Sequence, residues 1–321
     1  MMMVYEQRAS TILYNIFISQ DNDKTFLVPS NCCPIVVAVL LKAKKKFELI
    51  DISNETLCID ENTVLSLIKN DPSKYAGILF IRSYGINQSF EDFFLSIKNV
   101  NNDILIIDDK CLAFPSFDEE PIYADIHLYS TGYSKYVDLG WGGYANLKNG
   151  INYIHHDLAY NPEHLSLLNR SFQNAIDKNE EFNFELIKTD WLDTTHPAYS
   201  FDEYKRLIVQ SFSESRALKN KFNSFYSSTL PYEIQLGANS QNWRFNIVVP
   251  QKQILLESIF KEGLFASSHY TPASKIFYNK KSSNADRLYS TIINLFTDKY
   301  FDFKNAQKMV EIIDKHLMLH K

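Results

Sequence analysis

The chain is poor in the residues that build the most recognisable sites. Of 321 residues, nine are glycine and four are cysteine: Cys32, Cys33, Cys58 and Cys111. No C-x-x-C pair occurs, and adjacent cysteines rarely bridge each other. That excludes a disulfide framework and a thiolate zinc site, and it fits reduced thiols in the cytoplasm. A G-x-G-x-x-G run opening a helix after the first strand is missing, as is G-x-x-x-x-G-K-[ST], which excludes a dinucleotide fingerprint and a Walker loop. No apolar run reaches the roughly 18–20 residues of a membrane span. The opening MMMVYEQRAST lacks a basic stretch followed by an apolar one, so no signal peptide is expected. The net charge is −5, and the one basic cluster, Lys42 to Lys46, reads as a solvated helix end; nucleic acid is not an expected partner. His155 and His156 have no carboxylate or third ligand at a suitable spacing, so they read as a polar loop and no metal is expected.

What is present is ordinary globular material, 45 % apolar and 22 % charged, enough for a large core. The N-terminal half alternates short apolar runs with helical patterns. Strands are expected at 25–28, 47–52, 77–82, 103–107 and 125–130. Helices are expected at 10–19, 34–43, 60–70 and 89–98, the last capped by Ser89. Near-continuous apolar strands between helices imply a mainly parallel sheet covered on both faces. After residue 150 the pattern changes. Long helices are expected at 164–188 and 201–225, strands at 243–249 and 264–270, and further helices at 251–262 and 303–319. The expected organisation is a large α/β domain over 1–205 and a smaller α+β domain over 206–321.

Ligands of such sheets bind beyond the carboxyl ends of the strands. The residues to inspect there are Asn31, Asp51, Arg82, Asp108, Asp109, Ser130 and Lys135. Four of the nine glycines, Gly132, Gly140, Gly142 and Gly143, fall within STGYSKYVDLGWGGYA. Such clustering marks a backbone that turns tightly or approaches a ligand closely. Lys135 sits in that turn, after a strand. A lysine that forms a Schiff base needs a fixed, partly buried position. Pyridoxal 5'-phosphate (PLP) also needs a carboxylate at its ring nitrogen and a phosphate cradle, ideally at a helix N-terminus. Asp109 or Asp108, the opening of the first helix at Ala9, Ser10 and Thr11, and Ser130 answer those needs.

Over nearly its whole length the chain resembles the DegT/DnrJ/EryC1/StrS family of PLP-dependent sugar aminotransferases, of fold type I. QRASTILYNIF is similar to the family's first helix, FLVPSNCCPIVVAVLLKA with FELIDISNETLCID to its next helix and strand, and AGILFIRSYGINQSFEDF to a later strand, turn and helix. ILIIDDKCLAF falls at the cofactor aspartate and ADIHLYSTGYSKYVDLGWGGYA at the cofactor lysine. WRFNIVV, GLFASSHYTP and NADRLYSTIINL resemble the small domain's strand, substrate edge and final helix entry. The resemblance implies a fold-type I sheet of the seven-stranded kind in a three-layer sandwich, with a smaller C-terminal α+β domain. It implies Lys135 as the Schiff-base lysine and acid/base, and Asp109 at the ring nitrogen with Asp108 as its rival. Ser130, Ser10 and Thr11 would lie at the phosphate, Cys33 and Cys111 near the ring, and Arg244, His269 and Tyr270 on the substrate side.

The resemblance further implies a cytoplasmic homodimer that moves an amino group from an amino acid such as glutamate to a keto sugar carried on a nucleotide, in surface polysaccharide synthesis. Another fold-type I reaction, a lyase or an amino-acid aminotransferase, and a degenerate non-catalytic member are the alternatives. Three features depart from the family. Cys111 or Leu112 stands where Gln or His is usual, Asn31 to Cys33 where an aromatic or His often stacks on the ring, and the chain is shorter than most members.

Overall fold

The computed structural model describes residues 2–20, 22–178 and 180–319. The N-terminal half builds β1 (Met2–Glu6), α1 (Ala9–Ile18), β2 (Thr25–Pro29), α2 (Pro34–Lys42), β3 (Lys46–Ile50), α3 (Glu61–Asn70) and β4 (Tyr75–Ile81). It continues with α4 (Glu91–Val100), β5 (Leu105–Asp109), β6 (Ile126–Ser130) and β7 (Gly143–Leu147). Local chemistry sets several of the helix starts. Pro34 occupies the first turn of α2, where its missing N–H costs nothing. Asp60 caps α3 by accepting the Thr63 N–H at 2.7 Å.

The seven strands form one sheet in the order β1-β7-β6-β5-β4-β2-β3. Strands β6, β5, β4, β2 and β3 are parallel along the sheet, and β7 runs against both β1 and β6. Every residue of β4 is buried, as a central strand covered on both faces requires. Its side chains alternate: Leu79 and Ile81 join the core beneath α1 and α2, while Ile78 and Phe80 join the core beneath α3 and α4. Two helical layers thus sandwich the sheet.

The rest of the chain begins with α5 (Pro162–Asp177), which packs on the α1–α2 side, and α6 (Phe201–Thr229), opened by a capping box of Ser200 and Glu203. A second core forms where the end of α6 meets β8 (Phe245–Val248), α7 (Lys252–Lys261) and, later in the chain, β9 (Ile292–Leu295) and α10 (Phe303–Leu319). Helices α8 (Ala273–Tyr278) and α9 (Ser283–Thr291) lie between α7 and β9. Strands β8 and β9 pair antiparallel as a separate sheet. The expected domain boundary at 205/206 falls inside α6.

Several expectations are corrected. The helix expected at 164–188 stops at Asp177, and a separate 3-10 turn forms at Phe184–Lys188, because the apolar stripe lapses across the polar run between them. The strand expected at 264–270 does not form; only Ser267 bridges to Asn294. Helix α4 takes Phe90 rather than Ser89 at its cap, although the Ser89 hydroxyl accepts the Glu91 N–H at 3.3 Å. Strands β1 and β7 and helices α8 and α9 were not anticipated, being short or carrying no clean period.

Phe80 is fully buried in β4 and meets three rings of the α4 side, Phe90, Phe93 and Phe94, at centroid distances of 4.5, 5.8 and 5.2 Å. Phe80→Ala leaves a void in the middle of that cluster and is expected to cost about 3–5 kcal/mol, read as a lowered urea midpoint.

Candidate active site

The alternation seen in β4 continues across the sheet. In β5, Leu105 and Ile107 face α1 and α2, and Ile106 faces the other way. Asp109 therefore emerges on the α1–α2 side and Asp108 on the opposite side. In register beside them, Ile81 pairs with Asp109 and Asp109 with Leu128. The side chains of Ile81, Asp109, Leu128 and Ser130 line one cavity of about 320 Å³ at the carboxyl ends of β4, β5 and β6. The first turns of α1 (Arg8, Ala9, Ser10) and α2 (Cys33, Ile35, Val36), the turn through Gly132, Tyr133 and Lys135, and Cys111, Leu112 and Tyr270 complete its wall.

One end of the cavity is built for an anion. The first N–H groups of a helix have no partner within it and carry its positive pole, and Ala9 and Ser10 present that end here. Arg8 stands beside them; its guanidinium donates to the Gly140 carbonyl at 2.9 Å and lies 3.7 Å from Asp193. The glycine-rich segment makes the arrangement possible. Gly142 has φ +95°, and a Cβ on Gly143 would lie 2.5 Å from the Ala9 nitrogen, so only glycine lets β7 run this close to the helix start. Ser130 lies at the same end, and its hydroxyl accepts the Gly132 N–H at 3.3 Å.

Lys135 is partly buried, and among the described residues no hydrogen bond or ion pair holds its ammonium. Its turn is held tightly by others. Asp138 accepts the Ser134 N–H at 2.7 Å and the Gly140 N–H at 2.9 Å, and the Trp243 indole donates to the Ser134 carbonyl. Ser134 itself has φ +57°. Behind Trp243, the Lys219 ammonium of α6 donates to the Trp243 carbonyl at 2.7 Å, and burial brings its pKa down to about 8.

Asp109 is buried, and its donors among the described residues are both on Cys111: the N–H at 2.9 Å and the thiol. Burial raises its pKa, opposed by the Cys111 bonds and by the positive charge of Lys135. A carboxyl that is buried, underpaired and aimed into a cavity suits a cationic or N–H-bearing ring. The neighbouring thiols Cys33 and Cys111 are pushed up by burial and remain neutral. Tyr270, also raised by burial, closes the C-terminal side and lies parallel to Trp243 at 6.4 Å.

The cavity gathers most of the expected residues: Lys135, Asp109, Ser130, Ser10, Cys33, Cys111 and Tyr270 line it. Four do not. Asp108 turns to the other face and binds Arg82 bidentately, with both bonds at 2.8 Å. Thr11 is fully buried, and its hydroxyl donates to the Asp193 carbonyl at 2.6 Å. Arg244 is buried beneath Phe296, 3.9 Å from its ring, and bonded to Ser267. His269 is packed near Trp243, and burial followed by the Arg244 charge lowers its pKa to about 3. Arg8 and Asp138 were missed: the first precedes the helical pattern, and the second acts only through backbone groups.

No family model matches the chain, and neither does any curated protein. Solved structures do. A DegT DnrJ EryC1 StrS aminotransferase from Brucella abortus is 13 % identical at a TM-score of 0.68, over 98 % of this chain and 86 % of that one. PseC of Helicobacter pylori, an aminotransferase involved in the biosynthesis of pseudoaminic acid, is 14 % identical at 0.69, over 98 % and 86 %. The apo form of Spr1654 from Streptococcus pneumoniae, a protein also solved in a PLP form and a PMP form, is 16 % identical at 0.71, over 99 % and 87 %. With its largely parallel seven-stranded sheet between helical layers, the chain has the fold-type I architecture of the PLP-dependent aminotransferases.

Proposed function

We propose that this chain is a PLP-dependent aminotransferase that moves an amino group from an amino acid to a keto sugar. The observation that carries this is the convergence, in one cavity, of an unpaired lysine, a buried underpaired carboxyl and a helix start flanked by an arginine. These residues fit PLP in charge and kind. Asp109 answers the ring nitrogen, Lys135 the aldehyde carbon, and the N-terminus of α1 with Arg8 and Ser130 the phosphate.

PLP, when bound, supplies an electron-withdrawing ring that takes up the electron pair freed at the amino acid's α-carbon. Asp109 would hold a proton at the ring nitrogen. The α1 N–H groups, Ser10, Ser130 and Arg8 would anchor the phosphate and so fix the ring's position. With PLP bound, Lys135 would be the residue that holds the aldehyde carbon, and its free amine would be placed to move a proton from the amino acid's α-carbon to that carbon, two atoms along. Neutral Cys33 and Cys111, with Ile81 and Leu128, keep water from the ring. The trans-sheet rival Asp108 has no part in this, since Arg82 engages both its oxygens.

The sugar assignment follows the neighbours in fold, among them PseC. Surface polysaccharide synthesis in the cytoplasm, with glutamate as donor, is the setting that accords with them; among the described residues no helix is long and apolar enough to cross a membrane. Tyr133 lines the cavity yet is 72 % exposed, which suits a second copy of the chain covering that side as a homodimer. A second reading, a PLP protein of this fold with another reaction or none, is favoured by Arg244 and His269 lying outside the cavity wall.

The purified chain incubated with PLP is expected to gain a visible absorption band that borohydride abolishes. Lys135→Ala should lose that band and at least about a thousandfold in amino transfer from glutamate to a nucleotide-linked keto sugar, measured as 2-oxoglutarate release. A band without sugar-dependent release supports the second reading; no band at all refutes both.

Asp109→Asn is expected to act in two opposite directions. Transfer should fall, because the amide cannot hold the ring proton. The cofactor-free variant should be more stable than the parent near neutral pH. The sign follows from the raised pKa of Asp109. The folded chain holds that proton to higher pH than the unfolded chain does, so the parent loses stability as pH rises from about 4, the ordinary Asp range, through the raised value. Thermal melts across pH should show the two proteins converging towards about pH 4.

A further inference from the structure

Away from the cavity, three segments distant in sequence bring donor atoms together at the end of β1. Glu6 closes that strand, His155 lies in the extended stretch after β7, and His196 lies in the loop before α6. One ligand atom from each falls within 4.8 Å of the other two. We propose that Glu6, His155 and His196 bind a divalent transition-metal ion, with zinc the best match, and that Asp157 orients His155 from outside.

The donor set is chemically suited. Two imidazoles and one carboxylate make a zinc site with a position left over for water. Four-coordinate zinc holds its donors roughly 3.3 Å apart, given bonds of about 2.0–2.2 Å. His155 Nδ1 already lies 2.9 Å from Glu6 Oε1. The other ring nitrogen, Nε2, lies 3.1 Å from Asp157, which is the carboxylate–histidine relay that fixes a ligating ring's tautomer. The His196 ring is stacked over His155 at 4.1 Å.

An independent feature points to a cation at this corner. Glu6 is 3 % exposed, and its Oε2 is buried without any hydrogen-bond donor. Its Oε1, in contrast, receives the Tyr153 hydroxyl at 2.6 Å. A buried carboxylate oxygen with no donor is costly, and a metal ion at this corner would relieve it. The backbone is braced for the purpose: the Thr194 hydroxyl accepts the Leu158 N–H at 2.8 Å and donates to the Leu158 carbonyl at 3.3 Å, tying the His155 and His196 segments together. This inference does not depend on the chemistry of Lys135.

The full chain, dialysed against chelator and then against buffer, is titrated with Co²⁺ followed by visible absorption, and with Zn²⁺ by calorimetry. Expected are about one equivalent of Co²⁺ with the intense d–d bands of four-coordination and no sulfur charge-transfer band, displaced by Zn²⁺. His196→Ala, at an exposed position, should fold normally and weaken binding at least tenfold; Glu6→Gln should do the same, and Asp157→Asn should weaken it by about 10–100-fold. Zn²⁺ should also raise the melting temperature of the parent but not of His196→Ala. Absence of stoichiometric binding in the parent, or binding that survives both His196→Ala and Glu6→Gln, would overturn the proposal.

Discussion

Adjacent residues of a pleated strand face opposite ways, and at the end of β5 this geometry separates two carboxylates. Asp109 goes into the cavity, and Asp108 goes to the far side of the sheet. Had both faced one way, their repulsion would have demanded a shared proton or a shared cation. Separated, they serve different ends. Asp108 is fully paired by Arg82, while Asp109 keeps, among the described residues, only the N–H and thiol of Cys111 and no cation bonded to it. The capacity of the cavity to hold a cationic ring rests on that second carboxyl being left underpaired.

The far side of the sheet helps sustain the asymmetry. Around Asp108 lie Arg82, Lys110 and His127, with Glu119 bonded to Lys110 and to the Tyr129 hydroxyl at 2.9 Å. His127 is buried with neither ring nitrogen bonded among the described residues; burial first, then the Lys110 charge, lowers its pKa to about 4, so it stays neutral. Charges of both signs pair off in this rear network, as buried charges must. They hold the ends of β4, β5 and β6 in fixed register, so the front face can tolerate an underpaired acid.

Much of the architecture was legible because the parallel strands are continuous apolar runs and the helices between them carry caps and stripes. The alternation itself was in the sequence, since ILIIDD places Asp109 in phase with Leu105 and Ile107; phase alone does not say which face holds the helix starts. The glycine cluster pointed to Lys135 because close backbone approach leaves a compositional trace. Asp138 and Trp243 left none, since each acts on main-chain atoms and residue type and spacing are silent; Arg8 precedes the helical pattern and so carried no signal of its own. Thr11, Arg244 and His269 were placed by analogy of position; here the Thr11 hydroxyl is taken by the Asp193 carbonyl, Arg244 is buried against Phe296 with a bond to the Ser267 hydroxyl, and His269 packs near Trp243. The C-terminal part was read less well, because α8, α9 and β9 are short and their order follows tertiary contacts rather than period.

The Trp243 indole reaches from the start of the second, two-stranded sheet to the main chain next to Lys135, and it is backed in turn by the Lys219 ammonium of α6. The amine is thus aimed from outside its own sheet. Exchanging residues around 243–245 could retune its reach while every wall of the cavity stayed the same. A change in a distant strut could in that way redirect the amine and leave the lining of the cavity untouched.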